Sequence, residues 1–120
     1  MDEQAVKKLT DALRGGSDFE TAVAFSGLPM RDVLDYVARG QLESERRDSG
    51  LPANEAESEA VTLWREVYRA RAEAIVRATA QIQKAAQQGD WKAAAWWLER
   101  NVADMGNLPR VKNTRNDTWT

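Results

Sequence analysis

Five cations in the first third of the chain have the chemistry to hold a polyanion: Lys7, Lys8, Arg14, Arg31 and Arg39. A guanidinium forks onto a phosphate or onto the O6 and N7 edge of a guanine, whereas an ammonium neutralises phosphate as a point charge. Arg31 falls near the start of a predicted helix, the position from which a side chain reaches a base edge in the major groove; Met30 stands beside it. Arg39, Lys7, Lys8 and Arg14 are placed to touch phosphate. Acidic residues nevertheless outnumber basic ones from Met1 to Arg47, and Asp32 and Asp35 share the helix of Arg31. A single copy should therefore hold DNA weakly.

These side chains need elements to position them, and residues 17–41 read as a helix-turn-helix. Ser17 and Glu20 make a capping box for its first helix, with Ala22, Val23 and Phe25 as the packing surface. Ser26-Gly27 forms the turn, where glycine supplies a left-handed backbone. Pro29 opens the second helix, Val33, Tyr36 and Val37 recur at helical spacing, and Gly40 is expected to stop it. A preceding helix over about 2–14 presents Val6, Leu9 and Leu13 and ends at Gly15-Gly16. Residues 1–44 thus form a three-helix domain that presents its last helix to a groove, or else a bundle that docks only protein.

A polar stretch closed by Gly50 and Pro52 reads as a linker over 45–53. Asn54 then caps a helix that meets no glycine or proline before Gly89. Glu73 and Arg77 form an i, i+4 pair on it. Val61, Trp64, Val67, Tyr68, Ile75 and Ile82 line one side, the pattern of a helix packed lengthwise on another. Gly89-Asp90 begins a second helix, Trp91 to about Asp104, so residues 54–104 read as an antiparallel hairpin. The short arm leaves much of the long one uncovered, which makes the stripe an association site unless the N-terminal domain folds back onto it. Trp91, Trp96, Trp97 and Leu98 point around most of the second helix and join the oligomerisation surface. Residues 105–120 have no periodicity and read as a flexible tail.

Composition narrows the function. The chain has 120 residues, 42% hydrophobic and 30% charged, with a net charge of -2. That balance fits a small all-α protein with no global attraction to nucleic acid or membrane. There is no cysteine and no histidine, which removes thiol nucleophiles, the commonest general base and the usual metal ligands. No Gly-Lys-Ser or Gly-Lys-Thr follows Gly15-Gly16, so no phosphate-cradling loop is expected. The longest apolar run, Ala93 to Leu98, is too short to span a bilayer, and the acidic start is unlike a signal peptide. The expectation is a cytoplasmic protein without enzymatic activity or cofactor.

Two segments together resemble phage terminase small subunits, the DNA-recognition components of viral packaging motors. One is Glu20-Thr-Ala-Val-Ala-Phe-Ser-Gly-Leu-Pro-Met-Arg-Asp-Val-Leu-Asp-Tyr-Val-Ala-Arg-Gly. The other is Gly89-Asp-Trp-Lys-Ala-Ala-Ala-Trp-Trp-Leu-Glu-Arg, which follows a long helix. The resemblance implies N-terminal domains that bind packaging-site double-stranded DNA and central helices that assemble a homo-oligomeric ring. It also implies a C-terminal segment that engages the large terminase subunit, holder of the ATPase and nuclease, in the cytoplasm of an infected bacterial host. The same helix-turn-helix would serve a dimeric transcriptional regulator, and a protein-only helical adaptor is the alternative of another class.

Overall fold

The computed structural model describes residues 1–96 and residue 99, and the regular structure among these is all helix, with no strand. The chain divides into two compact units, Met1–Ala78 and Thr79–Thr120. No described helix is long and apolar enough to cross a membrane.

The first helix, α1 (Glu3–Arg14), starts where the Asp2 carboxylate accepts the Gln4 amide at 3.0 Å. Ala5, Leu9 and Leu13, four residues apart, form its buried face, and Val6 packs partly against the core. The second, α2 (Phe19–Ser26), is capped one residue later than expected: Asp18, and not Ser17, accepts the Thr21 amide at 2.7 Å. A carboxylate is the stronger acceptor for these unpaired amides, and the helix dipole favours its charge. Ala22, Val23 and Ser26 turn inward, which leaves Phe25, expected in the packing surface, exposed. Gly27 caps α2 at φ 81°, and the Ser26 hydroxyl accepts the Leu28 amide at 3.1 Å to close the turn.

The third helix, α3 (Met30–Asp48), does not stop at Gly40. Gly40 is buried in mid-helix because α3 crosses the next helix there; a Cβ at this position would lie 2.6 Å from the Ala60 carbonyl carbon and 2.8 Å from Trp64 Cβ. Its role is close approach, not termination. The expected linker over 45–53 is corrected likewise, since its first four residues belong to α3 and the rest is tied down. The Asn54 amide donates to Glu43 at 2.7 Å, and the Leu51 amide to the Arg46 carbonyl at 3.1 Å. Arg47 reaches both the Asn54 carbonyl and the Ser58 hydroxyl.

Asn54 caps a 3-10 turn, Glu55–Glu57, that leads into α4 (Ser58–Gln87). Leu63, Val67 and Ala70 of α4 join Leu9, Leu13, Ala22, Val23 and Val33 in one core, each large side chain worth about 1.5–3 kcal/mol when fully buried. Two expected oligomerisation residues are thereby corrected. Val67 belongs to this core and Val61 is buried beside Ala60, so neither is available to a partner. The N-terminal helices fold back on the start of α4, because α1–α3 alone leave the inward faces of Leu9, Leu13 and Val33 uncovered. The expected Glu73–Arg77 pair is absent: Glu73 binds Arg14 at 2.8 Å, and Arg77 donates to the Arg14 carbonyl.

In the second unit α4 ends at Gln87, and Gly89 makes the turn. Asp90 caps the helical residues 91–96 by accepting the Ala93 amide at 3.1 Å. Trp91 and Trp96 are exposed and Ile82 is half-buried. Trp97, Leu98 and the expected tail over 105–120 lie outside the described residues.

Candidate nucleic-acid interface

Arg31 occupies the first turn of α3, set there by Pro29, whose backbone (φ -65°) leads straight into the helix. It is exposed and has no ion pair, as does Lys8 on α1. Met30 departs from expectation. It is half-buried and packs against the core, because the helix start is pinned by it.

The remaining three expected contacts are already engaged. Lys7 Nζ lies 2.7 Å from Asp11, and Arg14 binds the same carboxylate at 3.0 Å as well as Glu73. The hydrogen bond from Lys7 holds the Asp11 carboxyl below its ordinary range. Arg39 forks onto Glu57 at 2.8 and 2.9 Å, binds Asp35 at 3.1 Å and lies 5.0 Å from the centre of the Tyr36 ring. The Glu57 hydrogen bonds, then those of Asp35, push its guanidinium above the usual range, and the Glu57 carboxyl is lowered in return. Within one copy Arg39 thus staples α3 to the 3-10 turn before α4. Asp35 and Asp11 are three or four residues from these cations on the same helices, whereas Glu57 and Glu73 are brought in by the fold.

Glu43, missed in the sequence, is the best-buried charge of this unit, with 3% of its side chain exposed. It accepts from the Asn54 amide, from Arg47 at 2.9 Å and from Arg46. The Asn54 hydrogen bond and then the Arg47 contact lower its carboxyl to about 2. A carboxylate placed here stays charged because these hydrogen bonds outweigh the burial that opposes its charge. Its work is architectural.

Among the described residues of the first unit, α4 and α3 each carry an exposed apolar row. On α4, Tyr68 is 66% and Ile75 59% exposed, Val76 is exposed beside them, and Trp64 stacks on Tyr68 with ring centres 5.5 Å apart. Arg65, Arg69 and Arg71 on the same stretch are exposed and have no ion pair. On α3, Leu34 and Leu42 are 52% and 62% exposed. Sequence reasoning found Tyr68 and Ile75, and Trp64 in part. It passed over Leu34, Ala38 and Leu42, although their four-residue spacing was visible.

Comparison of the chain with protein-family models, with curated proteins and with solved structures finds no match.

Proposed function

We propose that this protein is a non-catalytic, self-associating DNA-recognition component, similar in role to a phage terminase small subunit. The observation that carries the proposal is the row Tyr68, Ile75 and Val76, exposed on a unit whose core is already complete. A folded unit keeps so much apolar surface in water when another chain covers it. The helix-turn-helix supplies DNA contact through Arg31 at the start of α3, with Lys8 as a phosphate ligand. One copy offers few free cations there, and a ring multiplies them by effective concentration. Trp64, Tyr68 and Ile75 then belong to the assembly surface of the first unit, and Ile82, Trp91 and Trp96 to that of the second. The large ATPase subunit is the partner of the C-terminal segment, and the host cytoplasm the setting.

Light scattering tests the assembly. The expected mass is a multiple well above two copies of 13.5 kDa, and a monomer at micromolar concentration removes the reading. For DNA, the expectation is weak binding per subunit whose log affinity falls linearly with log salt. Arg31→Ala should weaken it; an unchanged affinity and salt slope would show that this face is not the contact. A dimer on a palindromic site would instead support the transcriptional-regulator reading.

A second reading, a helical adaptor that binds only protein, is favoured by the neutralisation of Lys7, Arg14 and Arg39. Absence of any salt-sensitive DNA binding by the assembled form would select it.

A further inference from the structure

We infer that Arg65 and Arg69, one turn apart on α4, hold the phosphate backbone of duplex DNA. This rests on the DNA-binding part of the proposed function and adds a second contact to the first turn of α3. The fold decides which cations are left for a ligand. Lys7, Arg14, Arg39, Arg46 and Arg47 are held in ion pairs, and Arg77 donates to the Arg14 carbonyl. Among the described residues of the first unit, Lys8, Arg31, Arg65, Arg69 and Arg71 make no such bond. Most of the free positive charge therefore stands on α4 and not on the helix-turn-helix.

That stretch is not arranged for its own stability. Arg65 has Val61, Thr62, Tyr68 and Arg69 at three and four residues along the helix, so no carboxylate of α4 faces it at the favourable spacing. Its neighbour one turn on is Arg69, and like charges at i, i+4 oppose helix formation. Arg69 has Glu73 four residues on, but the fold gives that carboxylate to Arg14 at 2.8 Å. Glu66 remains, exposed and without a bond to either guanidinium. Across the groove between α1 and α4, Asp11 is already shared by Lys7 and Arg14.

A guanidinium suits a phosphate because its parallel N–H groups meet two oxygens at once. Two of them, about 6 Å apart along the axis, present two such forks to a strand that carries a charge on every nucleotide. The same contact relieves the repulsion between Arg65 and Arg69. It carries no base information, so it fixes the register of the protein on the duplex and leaves readout to Arg31. Arg71 is the internal contrast. It too is exposed and unpaired, but it lies about 160° round the helix from Arg69, with Tyr68 and Ile75 between.

Titration of duplex DNA into the full-length protein at several salt concentrations tests this. Arg65→Ala with Arg69→Ala should lower the slope of log affinity against log salt by about two per bound copy, one for each phosphate released. The assembled mass and any sequence preference should stay as in the parent. Arg71→Ala should leave the slope unchanged, and Glu66→Gln, which removes the acid beside the pair, should tighten binding at low salt. A double variant with the parent slope, or an Arg71→Ala protein with an equal loss per charge, overturns the assignment and leaves Arg31 as the contact. A double variant that no longer assembles also overturns it, by placing the pair in the contact between copies. A parent protein without salt-sensitive DNA binding overturns both this and the DNA-binding reading.

Discussion

Replacing Gly40 by alanine isolates the contact on which the packing of α3 against α4 depends. The added Cβ would sit 2.6 Å from the Ala60 carbonyl carbon and 2.8 Å from Trp64 Cβ, where carbon atoms normally rest about 3.5–4.0 Å apart. One of those neighbours is backbone, so the helices themselves must part by roughly 1 Å rather than a side chain swinging away. Overpacking of this kind costs about 1–3 kcal/mol, and a backbone clash belongs at the upper end. Alanine returns about 1 kcal/mol through its better helix propensity. The net expectation is a loss of about 2 kcal/mol, a fall of roughly 8–16 °C in the melting temperature of a unit of this size. Gly15→Ala is the matched control. Its Cβ would meet Asp11 and Ala12 oxygens at 3.4 and 3.5 Å with the backbone already at φ -75°, so it should be neutral or stabilise by up to about 1 kcal/mol. Thermal unfolding followed by circular dichroism compares them. A Gly40→Ala protein that melts at or above the parent temperature would refute the close crossing.

Val67→Ala should destabilise the fold by about 1–3 kcal/mol in urea unfolding, while Tyr68→Ala should leave the folding midpoint nearly unchanged and lower the assembled mass, because one residue faces the core and its neighbour faces out. Equal effects of the two on folding would contradict the assigned faces. Glu43, held at about 2 against an ordinary 4.5, binds its proton more readily when unfolded, so its stabilising contribution is full above pH 4.5 and fades as pH falls toward 2. Denaturation midpoints across that range should drop for the parent, and less steeply for Glu43→Gln; parallel profiles would remove Glu43 from the acid response. Gly27→Ala should cost about 1–2 kcal/mol in thermal unfolding, since it forces an L-residue into a left-handed cap, and an unchanged melt would show that this turn relaxes freely.

The local pattern determined that the chain is helical and where most helices begin. Asp2, Asn54 and Asp90 cap them with side chains that act within a few residues, and Gly27 marks its turn by backbone geometry alone. Spacing also exposed the row on α4, because four-residue periodicity survives whatever the helix packs against. What it left undecided was the partner of each face. Val61 and Tyr68 share the same alternation of threes and fours, yet the first is buried and the second is not, since only the return of α1–α3 onto α4 fills one side. Gly40 looked like a helix stop because glycine weakens an isolated helix; in the folded unit the absent side chain admits Ala60. The partners of Arg14 and Arg39 were likewise completed by distant carboxylates. Glu57 comes to Arg39 across 18 residues and Glu73 to Arg14 across 59, and no reading of neighbours along the chain contains those encounters.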